Sequence, residues 1–180
     1  MVITTILKKM LISRGFTTDK GRIKMFGKMD WTLFPSRALA IIFQDVGKKL
    51  GKDYLYDIGF KAGSDTGDEI IHATGSKPKG GWITMKLVVS LLEFIGYGTP
   101  VFVKSDIEKD GHHHLLVHVS NNPITEWGVK LYGKKSLVCN WVMGVYAGHA
   151  ECELGAKNVR VKESRCIKDG HPYCEWESKW

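Results

Sequence analysis

The chain has 180 residues, 43% hydrophobic and 25% charged, with a net charge of +7. This length and balance fit one globular domain over residues 1–180, with a core that needs no cross-links, and they exclude a disordered chain. The positive charge is spread over lysine pairs such as Lys48 and Lys49 or Lys134 and Lys135, not gathered on one element between aromatics, so no nucleic-acid partner is expected.

No run reaches the ~20 apolar residues of a membrane span. The best, over 87–97, contains Glu93. Lys8 and Lys9 interrupt the only stretch that could open a secretory signal, so a cytoplasmic location is expected and no membrane partner. Thiols stay reduced there, and four cysteines then point to a metal more than to disulfides.

Residues 2–13 read as a short amphipathic helix with Ile3, Ile6, Leu7, Met10 and Leu11 on one face. A β-hairpin over 21–34 turns near Gly27. Pro35 and Ser36 then open a helix whose apolar face is predicted to be Leu39, Ile42, Phe43, Val46 and Leu50, with Gly51 as its stop. A second helix over 53–73 carries Gly59, Gly63 and Gly67 on one stripe. Glycine inside a helix costs about 1 kcal/mol against alanine. Three in register therefore predict a face that another backbone approaches closely, most simply a packed helix of the same chain.

The loop 75–81 has glycines and lysines but lacks the Gly-Lys-Ser/Thr ending of a phosphate cradle, and no GxGxxG follows a strand. A third helix is predicted over 82–96. Strands 99–108 and 113–120 join around Asp110-Gly111, and a fourth helix spans 136–153 with Gly144 and Gly148 again four apart. A final hairpin pairs 158–166 with 173–179 around Asp169-Gly170. Helices between antiparallel hairpins imply an α+β fold, with the helices packed on an antiparallel sheet.

The final hairpin carries the sharpest chemistry. With the turn at Gly170, Cys166 and Cys174 face each other across two strands, where opposed Cβ atoms stand about 4.5–5.5 Å apart and two thiolates can share one tetrahedral ion. Glu163 lies three residues before Cys166, an odd separation that points to the other face of a regular strand. It joins the pair only if the chain kinks near Ser164-Arg165. A fourth ligand must come from Cys139 or Cys152. They lie thirteen residues apart on the fourth helix and point away from each other. Cys139 sits at the helix start, where the dipole favours a thiolate, and Cys152 reads as a small buried hydrophobe. No CxxC is present, which disfavours an iron–sulfur cluster.

Taken in order, Cys139-Asn-Trp-Val-Met-Gly144-Val-Tyr-Ala-Gly148, then Glu163-Ser-Arg-Cys166, then Gly170-His-Pro-Tyr-Cys174, the sequence resembles the 4-vinyl reductase-like, hydrocarbon-binding domain family. The sensor part of phenol-responsive activators and the subunits of vesicle-tethering TRAPP complexes share related folds. The resemblance implies a TRAPP-subunit-like, nitric-oxide-signalling ligand-binding-domain-like architecture. It implies structural zinc held by Cys139, Glu163, Cys166 and Cys174, near an apolar pocket for a small hydrophobic ligand, and a homodimer. The expected function is therefore a zinc-containing binding domain, a sensor or carrier. The alternative is an enzyme or enzyme accessory acting on a vinyl-bearing tetrapyrrole or a similar hydrophobic substrate.

Other candidates have plainer readings. His112, His114 and His118 share one strand face, which reads as solvated. His72 and His149 sit on helices without a partner fixed by sequence. Of six tryptophans, Trp141 is the one placed near the pocket, because it follows Cys139 closely.

Overall fold

The computed structural model describes residues 15–19, 22–75, 82–107, 113–157 and 159–180. The helix expected over 2–13, most of the loop over 75–81, and His112 lie outside the described residues. The fold is α+β, as the element pattern implied. A three-stranded antiparallel sheet comes first, in the order β1 (Phe16–Asp19), β2 (Arg22–Met25), β3 (Met29–Trp31). The hairpin at Gly27 is present, with the amide of Lys28 donating to the carbonyl of Met25 (3.2 Å). The first strand was not anticipated.

Helix α1 (Ser36–Leu50) starts after Pro35 and ends at Gly51, as expected. Its buried face is different. Ala40, Phe43, Gln44 and Gly47 point inward, while Ile42 is 45% and Leu50 58% exposed. The predicted stripe is right at Phe43 but lies about one residue off the buried face, because Gly47 is needed beneath Leu55 and Leu137, at 3.1 and 3.0 Å from where a Cβ would stand.

Helix α2 (Lys52–Thr74) and helix α5 (Val138–Leu154) form the centre. Of the 17 residues of α5, 13 are buried, so the helix is enclosed on all sides and has no solvent stripe. The two helices run parallel and touch backbone to backbone. A Cβ at Gly59 would collide with the carbonyl oxygen of Trp141, and one at Gly63 with that of Val145. From the other side, a Cβ at Gly144 would meet the carbonyl of Tyr56, and one at Gly148 that of Phe60. The glycine stripe is thus intramolecular packing, reciprocated by the second stripe on α5.

Helix α3 (Trp82–Phe94) leads into the second sheet, with antiparallel strands in the order β4 (Thr99–Ile107), β5 (His113–Ser120), β7 (Cys174–Lys179), β6 (Val161–Arg165). Its inner face presents Leu115, Val117 and Val119 from β5 opposite Ser178, Trp176 and Cys174 from β7, all buried. Between β5 and α5 lies a helix the sequence reading passed over, α4 (Pro123–Tyr132). The signals for it were present. Asn122 caps it by accepting from the Thr125 amide (2.9 Å), Pro123 occupies its first turn, and Gly133 ends it. No helix of the described residues is long and apolar enough to cross a membrane.

Candidate metal centre and the adjoining cavity

Three elements deliver four donor side chains to one point. Gln44 on α1 sets the start of α5: its side-chain amide donates to the carbonyl of Lys135 (3.0 Å), and its oxygen accepts from the Leu137 amide (2.8 Å). That fixes the first turn of α5, where Cys139 projects toward the C-terminal hairpin. In the hairpin, β6 pairs with β7 through Glu163 opposite Trp176 and Arg165 opposite Glu175, so Ser164 is an inserted residue. This bulge is the kink that the Glu163–Cys166 spacing required. It restores Glu163 to the face of Cys174 and Trp176. A turn of 3₁₀-helix over Ile167–Asp169 and Gly170 at φ 92° bring the chain back to Cys174.

The outcome is a cluster of Cys139, Glu163, Cys166 and Cys174 whose donor atoms all lie within 4.8 Å of one another. The sulfurs of Cys139 and Cys166 are 3.3 Å apart, and those of Cys166 and Cys174 3.6 Å. Two thiolates bound at about 2.3 Å to a tetrahedral zinc stand about 3.8 Å apart, so this donor set could close on such an ion with little movement. Cys139, Cys166 and Cys174 are buried. Without a cation they are mutually frustrated. Hydrogen bonding from its neighbours draws Cys174 down to about 4, while hydrogen bonds to Cys166 and Cys174, with burial, push Cys139 well above the usual thiol range. Glu163 is held from behind, accepting from the Trp176 indole (3.3 Å) and from Lys168 Nζ (3.2 Å).

Cys152 stands apart from this cluster. It is not the buried hydrophobe expected, but half-exposed, with its thiol donating to Asp68 (2.9 Å). The histidine face of β5 is less solvated than expected. His114 pairs with Glu177 and His118 with Glu175, each at 2.7 Å, across the β5–β7 ladder. Ser164 Oγ also donates to Glu175 (2.7 Å), but the carboxylate sits between hydroxyl and imidazole. That order cannot activate the serine as a nucleophile.

Two adjoining cavities lie between the helices and the first sheet, and Trp31, Ile95 and Tyr97 border both. The larger, about 550 Å³, is walled mainly by Phe16, Ile23, Leu39, Phe94 and Ile124. The smaller, about 160 Å³, is floored by Trp141, Val145 and His149 of α5. Phe43 stacks on Trp141 at 4.0 Å between ring centres, fixing that floor. Sequence reasoning placed Trp141 here but not Tyr97 or Trp31, and it weighed His149 as a pocket polar group against the plainer reading of a satisfied histidine. His149 is wholly buried, with Nδ1 3.1 Å from Glu153 Oε1. Burial lowers His149 to about 4 and raises Glu153 well above the usual carboxylate range.

No protein-family model matches this sequence, and no curated protein does. Solved structures share the fold. The phenol-responsive sensory domain of the transcription activator PoxR, determined with phenol, superposes with a TM-score of 0.76 at 18% identity, covering 99% of this chain and 90% of that one. A trafficking protein particle complex subunit 3 from Naegleria fowleri, covalently bound to palmitic acid, gives 0.55 at 18% identity over 80% of this chain and 93% of that one. A vinyl-4-reductase family protein from Methanocaldococcus jannaschii gives 0.53 at 16% identity over 99% and 94%. The architecture that the sequence resemblance implied is thus the one found.

Proposed function

We propose that this chain is a binding domain for a small hydrophobic molecule, with one structural zinc ion held by Cys139, Glu163, Cys166 and Cys174. The observation that carries the binding function is the larger cavity. Its ~550 Å³ lies within the range of small-molecule sites, and Tyr97 is the one titratable group among its described lining residues. Burial drives the Tyr97 phenol up to about 12, so it stays neutral at physiological pH. A wall of this composition favours holding a molecule over transforming it, because catalysis would need converging acids and bases. The phenol carried by the PoxR domain and the palmitic acid carried by the trafficking subunit give the same reading on two structures of this fold.

Bound there, zinc would supply cross-linking: four protein ligands leave no open position for a substrate. The residues do the positioning, with the Ser164 bulge orienting Glu163 and Gln44 orienting the helix that bears Cys139. Such a domain would act as a sensor or carrier. Leu33, Phe34, Ile41 and Ile42 lie exposed on and just before α1 and form the face through which two copies would pair.

Elemental analysis of untagged, reduced protein should give about one zinc per chain. Mass spectrometry of protein denatured directly from cells should release a small hydrophobic molecule. A metal-free, ligand-free protein that is nonetheless folded would overturn both parts. Sedimentation should report a dimer that Ile41→Asp converts to monomer.

A further inference from the structure

Two of the residues that line the larger cavity are also on the molecular surface. Leu33 and Phe34 belong to its wall, yet they are 81% and 51% exposed, so the wall ends there in an apolar rim that faces solvent. The rim runs into the exposed side of α1, where Ile41 and Ile42 stand, and Leu50 at the far end of the helix is exposed as well. A hydrophobic molecule held beside that rim keeps part of its own surface in water. One cover would withdraw both surfaces, the ligand's and the rim's.

The order of side chains on α1 says what the cover is. Arg37 and Asp45 are exposed and stand about one turn to either side of Ile41. Arg37 lies over the Trp127 ring at 5.5 Å, and neither it nor Asp45 has an ion-pair partner among the described residues. Opposite charges placed symmetrically about an apolar centre are self-complementary under a two-fold axis. In an antiparallel pair of α1 helices centred on Ile41, each Arg37 stands level with the partner's Asp45. The Leu50 end of each helix then reaches the partner's Leu33 and Phe34, which gives the outward position of Leu50 a use.

Resting on the small-hydrophobic-ligand reading and on the pairing face it includes, we propose that two copies of this chain pair antiparallel about Ile41 and that the α1 of each roofs the larger cavity of the other. The cavity is a site that one chain leaves incomplete. Because the roof withdraws ligand surface from water only in the pair, a molecule in the cavity strengthens pairing, and pairing strengthens its binding by the same factor.

Charge reversal tests the register. Arg37→Asp and Asp45→Arg each set like charges against each other, and each variant alone should sediment as a monomer where the wild type is a dimer. Mixed in equal amounts they should pair again, since an acidic face then meets a basic one. The fluorescent probe N-phenyl-1-naphthylamine reads the roof, because neither residue is among the described lining of the cavity. Each variant alone should bind it about tenfold more weakly than wild type, the effect of leaving roughly 55 Å² of apolar surface in water, and the mixture should recover. Dilution of the wild type through its own dissociation should give the same loss without any substitution. Single variants that pair like wild type, or a mixture that stays monomeric, overturn the register. Equal probe affinity in monomer and dimer overturns the roof, and leaves the cavity closed by the chain's own residues or by nothing. A dimer that binds no probe overturns it too. The small-ligand reading itself fails only if protein taken from cells carries no hydrophobic molecule.

Discussion

Helix α5 is held in two ways along its length. At its start, Cys139 meets the hairpin in a cluster whose four donors are brought within 4.8 Å by a bulge, a 3₁₀ turn and a glutamine brace. Further on, Gly144 and Gly148 meet α2 with no side chain between the backbones. The first contact depends on what the atoms are, and the second on their being absent. The corner can be repaired chemically, by an ion or a different ligand. The seam cannot, because any added carbon forces the helices apart.

The largest expected effect tests the seam. Gly63→Ala should cost about 3 kcal/mol through overpacking, a Tm loss of about 6–12 °C for a chain this size, with zinc per folded chain unchanged. A neutral result by thermal melting would show that the helices do not meet backbone to backbone.

The next effect probes the third step of the seam, where Gly67 faces His149. His149 falls to about 4 in the folded chain against about 6.5 unfolded, so the unfolded chain binds the extra proton between these values. This contribution destabilises the fold progressively as pH drops from about 6.5 to about 4. His149→Leu should therefore gain on wild type over that window, by up to about 3 kcal/mol. Denaturant melts at pH 7 and pH 4 measure it, and a constant difference between the two proteins would place His149 in solvent.

At the corner, Cys139→Ser should abolish zinc binding and cost about 2 kcal/mol, leaving a buried hydroxyl. Hydrogen exchange should rise first over 161–179, with α1 still protected, which separates a local clasp from a global support. Smallest of all, Cys152→Ser should keep its zinc and lose less than about 1 kcal/mol, since its thiol is half-exposed and hydrogen-bonds an exposed aspartate. Equal zinc loss in both serine variants would put the wrong thiol in the corner.

The residues of the corner were legible because they are rare types in a fixed order. Even the bulge at Ser164 could be inferred, from a parity conflict between Glu163 and Cys166. The seam showed only as glycine spacing, which announces a close approach without saying to what. The rest was hidden for physical reasons. The inward face of α1 could not be read from its aliphatics, because Gln44 and Gly47 take inner positions for bracing and for room. Helix α4 went unread although Asn122-Pro123 and Gly133 mark its ends. His149 carries no local signal: what distinguishes it is burial beside Glu153, a property of the packed helices and not of its neighbours in the chain.

The parallel course of α2 and α5 has a consequence for the order of folding. Gly59 and Gly63 find their partners at Trp141 and Val145, some eighty residues later, and parallel helices cannot be joined by a short turn. During synthesis α2 emerges long before α5, so its bare glycine stripe has nothing to dock against. Contacts of such sequence separation close slowly. The central pairing therefore belongs to the last stage of folding, after both sheets have the chance to form hairpins locally, and a nascent chain halted before residue 141 should be held by chaperones as an unclosed intermediate.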